Sequence, residues 1–342
     1  MELQDMLVKC LNVPRPDPEC PAMMPPPGVL PLDPNGASTW SFGMPVIAVC
    51  LILVGLSIII RTFTRSYVLK VFALEDAVML LATLGFVAFA AIVLDSASLG
   101  FGKHQWNVTV ANVLRALHRA YAVQIIYCLA MYLAKLGVLL QLKATFDSKT
   151  RDFMFWMYWV CIVTFTCAYT ANLFIWIFPC IPIRKKWDPF IPGHCNTTIK
   201  PGLLSGVVNL VTDILILVLP IYAVSRLHMS WRKKVSICGI FASGLLACAS
   251  SALRLHYSIE RLDSKDLTYW LSVVAVCAIP EIAALLICGA FPTFPLFFKF
   301  ITQDVGKKAG YMVTNSGKDS SNAPSEAIIL SKRHKEAIDA VV

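Results

Sequence analysis

The sequence predicts an all-α polytopic membrane protein, a seven-transmembrane helix bundle with the N-terminus outside and the C-terminus cytoplasmic. Three observations carry this. Only 15% of the 342 residues are charged while 57% are apolar, and the mean hydropathy is +0.66; soluble domains average about a quarter charged residues. Apolar runs of the length needed to cross roughly 30 Å of hydrocarbon occur at 44–60, 76–95, 120–142, 153–178, 202–223, 235–256 and 270–291. Arg61, Arg65 and Lys70 follow the first run at once, whereas no Lys or Arg stands close before it. Basic residues favour the cytoplasmic flank of short-loop membrane proteins.

Three regions follow from these runs: an extracytoplasmic Pro-rich tail at 1–43, a seven-helix membrane domain at 44–298 and a cytoplasmic basic tail at 299–342. The opening "MELQDMLVKC" lacks the basic start and long apolar stretch of a signal peptide. The stretch "VPRPDPECPAMMPPPGVLPLDPNG" is too rich in proline for a helix or a packed core. The last segment, from "GKKAGYMVTNSGKDSS" onward, is polar and basic and reads as largely disordered.

Between the spans, the loop "SRLHMSWRKK" adds further positive charge on the inner side. The two N-x-Ser/Thr sequons, at Asn107 and Asn196, both fall in loops placed outside, which is the arrangement glycosylation in the secretory pathway requires. Of twelve cysteines, Cys180 and Cys195 flank the outer loop "CIPIRKKWDPFIPGHC" and are expected to form a disulfide; Cys10 and Cys20 in the outer tail form a second candidate pair. The expected location is the plasma membrane or an endomembrane of the secretory pathway, with the lipid bilayer as the principal partner. Nothing points to nucleic acid.

Charged groups within spans are costly, about 2.5–3.5 kcal/mol at the bilayer centre on an insertion scale, and usually face the bundle interior. Near the midplane stand Lys135, Asp213 and Glu281; nearer the outer surface stand Asp95, Asn172, Asn209 and Arg254. Asn209 and Asp213 are four apart and share a helix face. Lys135 is expected to pair with Asp213 or with Glu281, leaving the other carboxylate protonated or hydrated. Such a network can fix helix packing, bind a hydrophobic small molecule, handle protons or act in catalysis, with Glu281 and Asp213 as the catalytic candidates. Pro220 and Pro280 interrupt the hydrogen bonding of spans five and seven.

Several chemistries are disfavoured. A retinal Schiff base needs a lysine in the last span, where Glu281 stands instead, so no cofactor is expected. No acidic-Arg-Tyr triplet ends span three and no Asn-Pro-x-x-Tyr ends span seven. His104, His118, His194 and His256 show no zinc-ligand spacing and read as solvated or capping groups, so no metal is expected. The basic segments "RTFTR" and "WRKK" read as topology signals in contact with anionic lipid.

Five stretches together carry a resemblance: "LEDAVMLLA", "LGFGKH", "YLAKLGVLLQL", the loop "CIPIRKKWDPFIPGHC", and "NLVTDILILVLPIYAVSRLHMSWRKKVSICGIFASGLLACASSALRL", followed by Glu281 in the last span. Over residues 40–300 the chain resembles the fungal rhodopsin-like integral membrane proteins. That group includes receptor-like proteins of plant pathogens and members encoded in mycotoxin clusters such as the satratoxin cluster. The chain has no eight-cysteine outer module, and Glu75-Asp76 stands where paired aspartates are common. The resemblance implies a seven-helix fold and a receptor-like or accessory role in secondary metabolism or surface perception, with a cytoplasmic signalling partner left open. The residues leave a second reading open, an integral membrane enzyme of cyclase or isomerase type using Asp213 or Glu281 as acid on a hydrophobic intermediate.

Overall fold

Among the described residues, seven helices are long and apolar enough to cross a membrane. The structure, a computed structural model, describes residues 10, 17–33, 36–146, 153–195, 199–225, 231–264 and 266–302. The helices are α1 (Trp40–Phe63), α2 (Leu74–Ala97), α3 (Val110–Phe146), α4 (Phe153–Ile177), α5 (Ile199–Ser225), α6 (Trp231–Asp263) and α7 (Leu267–Ala290). A short hairpin of β1 (Cys180–Ile181) and β2 (His194–Cys195) lies between α4 and α5. All seven apolar runs fall on these helices, most of which extend beyond them. The largest extension is α3, at 37 residues, because its polar first turns continue helically past the apolar stretch.

The chain divides into two units, Met1–Phe297 and Phe298–Val342. In the second, the described residues 298–302 are helical. The expected disorder beyond 302 and the inner loop "LHMS" lie outside the described residues.

In the first unit, α7 is the element around which the others pack. It meets α1, α2, α3 and α6, and nearly every residue from Ala278 to Ala290 is buried. A helix that is apolar all round belongs in an interior. By contrast, α1 turns Phe42, Val49, Ile52, Leu56 and Ile59 outward, a helical stripe suited to lipid. Close approach of α2, α3 and α7 is set by small residues. Met79 of α2 is fully buried between Gly137 and Gly289, and a Cβ at either glycine would collide with its thioether. Helicity continues through Pro220 and Pro280.

The Pro-rich tail forms no helix in residues 17–33, yet it is tied down by backbone bonds. Ala22 N–H donates to Val108 O at 2.9 Å, Val110 N–H to Cys20 O at 2.9 Å, and Leu32 N–H to Trp106 O at 3.2 Å. The tail therefore lies along the α2–α3 loop. There Trp40 Nε1 donates to Phe101 O, and Gly102 adopts φ +96°, a conformation that favours glycine.

The candidate pair Cys10–Cys20 and the expected disulfide Cys180–Cys195 are both present. The second is the register pair of the hairpin, so the bond and the strand ladder close the same loop.

Candidate functional site

Charges in an apolar interior must find partners, and α3, α5, α6 and α7 each bring one to the same depth. Lys135 of α3 is fully buried. Its Nζ lies 2.9 Å from Asp213 Oδ1 on α5 and donates to Asn209 O at 2.8 Å, Asn209 Oδ1 at 2.9 Å and Thr212 Oγ1 at 2.7 Å. Arg254 of α6 donates through Nε to Glu281 Oε2 of α7 at 2.8 Å. Two cations thus match two carboxylates.

This corrects the expected pairing. With Lys135 as the sole base at this depth, one carboxylate would stand alone. Arg254 sits nearer the helix end, but its long side chain reaches inward to Glu281 and leaves neither acid unmatched.

Asn209 is the hub. Its Oδ1 also accepts from Tyr169 O–H at 2.7 Å, and its Nδ2 donates to Asp213 Oδ2 at 3.2 Å, to Ser251 Oγ at 3.1 Å and to Glu281 Oε1. Ser251 Oγ lies 2.5 Å from both Asp213 Oδ2 and Glu281 Oε1. A hydroxyl has one proton to give, so Ser251 donates to one carboxylate at a time. Tyr127 O–H reaches Glu281 Oε2 at 3.4 Å, and its ring lies 5.0 Å from the Arg254 guanidinium carbon. A buried cation over an aromatic face gains roughly 1–2 kcal/mol.

Of the seven network residues expected, five are brought together: Lys135, Asn209, Asp213, Arg254 and Glu281. Asn172 lies apart, donating to Ser205 Oγ at 2.9 Å and thereby joining α4 to α5. Asp95 does not belong to the interior. Its side chain is 59% exposed and pairs with Arg119, because it lies in the last turn of α2 on a face turned from the bundle. Tyr127, Tyr169, Thr212 and Ser251 were not singled out; hydroxyls are common in spans and give no signal of their own.

A second buried cluster occupies the other end of the bundle, and it corrects the lipid-contact reading of "RTFTR". Arg61 is 1% exposed. Its Nη2 donates at 2.6 Å to both Asp76 Oδ1 and Gln141 Oε1, and its Nη1 donates to the Gly289 carbonyl. Arg65 Nη2 donates to Glu75 Oε1 at 3.2 Å and to Gln141 Oε1 at 3.1 Å. Asp76 also accepts from Ala73 N–H at 3.1 Å, capping α2. α1, α2, α3 and α7 are thereby tied together by one guanidinium. The side chains of "WRKK" lie outside the described residues.

His104 is partly buried and its side chain makes no capping bond. Its ring stacks between Trp106 and Tyr269, with centroids 4.3 and 4.5 Å away, and Nδ1 lies 2.5 Å from Asp266 Oδ2. Among the described residues no group of three or more His, Cys, Asp or Glu could hold a metal ion. Asn107 Oδ1 accepts from Asp33 N–H at 3.1 Å, and its Nδ2 packs against Gly36, so this sequon amide lies under the tail. Asn196 lies outside the described residues.

A model of the fungal rhodopsin domain matches residues 60–300. A SAT4 family membrane protein of Emericella nidulans is 34% identical over 213 residues, which are 62% of this chain and 54% of that protein. Fugralins biosynthesis cluster protein 2 of Gibberella zeae is 28% identical over 292 residues, 82% of this chain and 71% of that protein. The match thus spans about half the length of the first relative. No solved structure matches the chain.

Proposed function

Because the chain belongs to the fungal rhodopsin domain family, we propose that it is a receptor-like or accessory membrane protein serving secondary metabolism or surface perception. One observation carries the reading. The central network joins α3, α5, α6 and α7 through two acid–base pairs sharing the Asn209 and Ser251 bridge. An amphiphilic small molecule that competes for Arg254, Glu281 or Asn209 would change the packing of all four helices together. In this reading a bound ligand would bias the network between two arrangements of these helices. The name of the Gibberella zeae relative, a biosynthesis cluster protein, supports a setting in secondary metabolism. In this reading the Cys180–Cys195 end faces outward and the Arg61 end faces a cytoplasmic signalling partner, in the plasma membrane or a secretory endomembrane.

A second reading, an integral membrane enzyme with Asp213 or Glu281 as general acid, draws on Ser251. Its one hydroxyl lies 2.5 Å from an oxygen of each carboxylate, and a proton on either acid would complete both hydrogen bonds. The cation opposite each carboxylate favours the first reading, because a general acid needs a proton to release.

Deletion of the gene with metabolite profiling, followed by complementation with Glu281→Gln and Asp213→Asn, separates the two. The receptor-like reading predicts altered metabolite output or perception on deletion, with no accumulation of an unconverted precursor. Accumulation of one precursor, restored by wild type and by neither variant at equal protein level, would overturn it in favour of the enzyme.

A further inference from the structure

Glu281 has no acceptor position to spare, whereas its partner Arg254 has a donor left over. A carboxylate offers about four lone-pair positions. Arg254 Nε and Tyr127 O–H meet Oε2, while Ser251 Oγ and Asn209 Nδ2 meet Oε1. Arg254 spends Nε on this carboxylate and lays its guanidinium over the Tyr127 ring, yet its Nη2 is buried without a hydrogen-bond acceptor. The residue is 5% exposed, so bulk solvent does not supply one. The hydroxyls one helical turn away on α6 are engaged with backbone carbonyls, Ser250 Oγ on Cys277 O at 2.9 Å and Ser258 Oγ on Arg254 O at 2.7 Å.

A buried N–H without an acceptor carries the full penalty of its lost hydration. Charge balance decides which kind of acceptor suits it. Lys135 is paired with Asp213 and Arg254 with Glu281, so the network is formally neutral without a guest. A carboxylate or phosphate on Nη2 would bring an uncompensated negative charge beside Glu281, in a region where charge is costly. An alcohol brings an O–H of its own, and Glu281 has no position left to receive it. A carbonyl oxygen accepts from Nη2 in a charge-assisted bond and needs no acceptor in return. Because the donor stands between membrane helices, the remainder of such a guest must be largely apolar.

We propose that Arg254 Nη2 anchors a binding site for an uncharged carbonyl compound, a ketone, ester or lactone on an apolar skeleton. The inference rests on the reading of the central network as a ligand site, and it adds the chemical class of the ligand.

The test uses the full chain in detergent and compares cyclohexanone and δ-decalactone with cyclohexane, decane and decanoate. Thermal unfolding reads binding, and isotope-edited infrared spectroscopy of carbonyl-labelled δ-decalactone reads the bond. In the wild type the carbonyl probes raise the unfolding temperature more than the alkanes or decanoate. The bound lactone shows a carbonyl band at lower frequency than the lactone in detergent alone. Arg254→Lys keeps a cation opposite Glu281 but has no second arm. It loses the low-frequency band and binds the lactone about tenfold more weakly, as loss of one hydrogen bond from a charged donor does. Arg254→Met combined with Glu281→Gln removes the donor without stranding a carboxylate, and it loses the band as well. Carbonyl probes no better than the alkanes, decanoate equal to or better than the lactone, or an unchanged band in both variants overturns the proposal. The wild-type comparison decides even if neither variant folds. A negative result together with altered metabolite output or perception on gene deletion removes the carbonyl site and leaves the receptor-like reading standing.

Discussion

Arg254 and Glu281 lie on adjacent helices, α6 and α7, and meet through Nε and Oε2 at 2.8 Å, with the side chains 7% and 0% exposed. Each is the other's main electrostatic partner in a region without solvent. Removing Arg254 alone strands a buried carboxylate, whereas removing both charges leaves a neutral, hydrogen-bonding site.

Arg254→Gln should therefore cost about 3–5 kcal/mol of stability, Glu281→Gln somewhat less, and the double variant should recover part of the loss. A double-mutant cycle on thermal unfolding in detergent measures the coupling, expected at about 1–3 kcal/mol. Strict additivity would refute the pairing.

Arg61 holds the opposite end. Arg61→Gln and Asp76→Asn should each destabilise the fold by roughly 3 kcal/mol, as loss of one member of a buried pair does. If Arg61 served lipid contact instead, Arg61→Gln would change only the dependence on anionic lipid, and the melting curve in neutral detergent would stay where it was.

For the outer loop, Cys195→Ser should lower stability by about 3 kcal/mol on loop-entropy grounds and shift non-reducing gel mobility. Identical mobility and thiol labelling of the wild type with and without reductant would count against the bond.

Gly102 should resist substitution. At φ +96° a Cβ would stand 2.5 Å from Thr39 Oγ1 and 2.7 Å from Trp40 Nε1, so Gly102→Ala should cost about 1–3 kcal/mol. Wild-type melting behaviour in this variant would show that the tail-to-loop junction is looser than described.

The fold was legible because the bilayer imposes length and apolarity that few other environments demand, and seven runs met both. Lys135, Asp213 and Glu281 were legible for the same reason, as charges where charge is costly. Arg254 was found but its partner was not, since span position does not reveal how far a long side chain reaches along the bundle. Ser251 and Thr212 left no trace, because a Ser or Thr hydroxyl in a span can satisfy itself on its own helix, as Ser57 does on Leu53 O; Tyr127 and Tyr169 left none, because an aromatic ring suits apolar packing whether or not its hydroxyl finds a partner. Arg61 and Asp76 were hidden by position. At a span end, basic residues are expected from topology alone, and nothing in the order of residues says that one of them turns inward. Asp95 erred the other way, since depth could be counted along the chain but helix rotation could not.

The central network sums to zero formal charge, Lys135 with Asp213 and Arg254 with Glu281. A membrane voltage does work only on net charge moved through its field, about 2.3 kcal/mol per elementary charge per 100 mV. A helix movement that translated both pairs intact would therefore carry none of their net charge through that field. Glu281→Gln leaves one positive charge uncompensated in the field and makes the same movements voltage-dependent. The pairing of Glu281 thus cancels the charge that Arg254 alone would place in the membrane field.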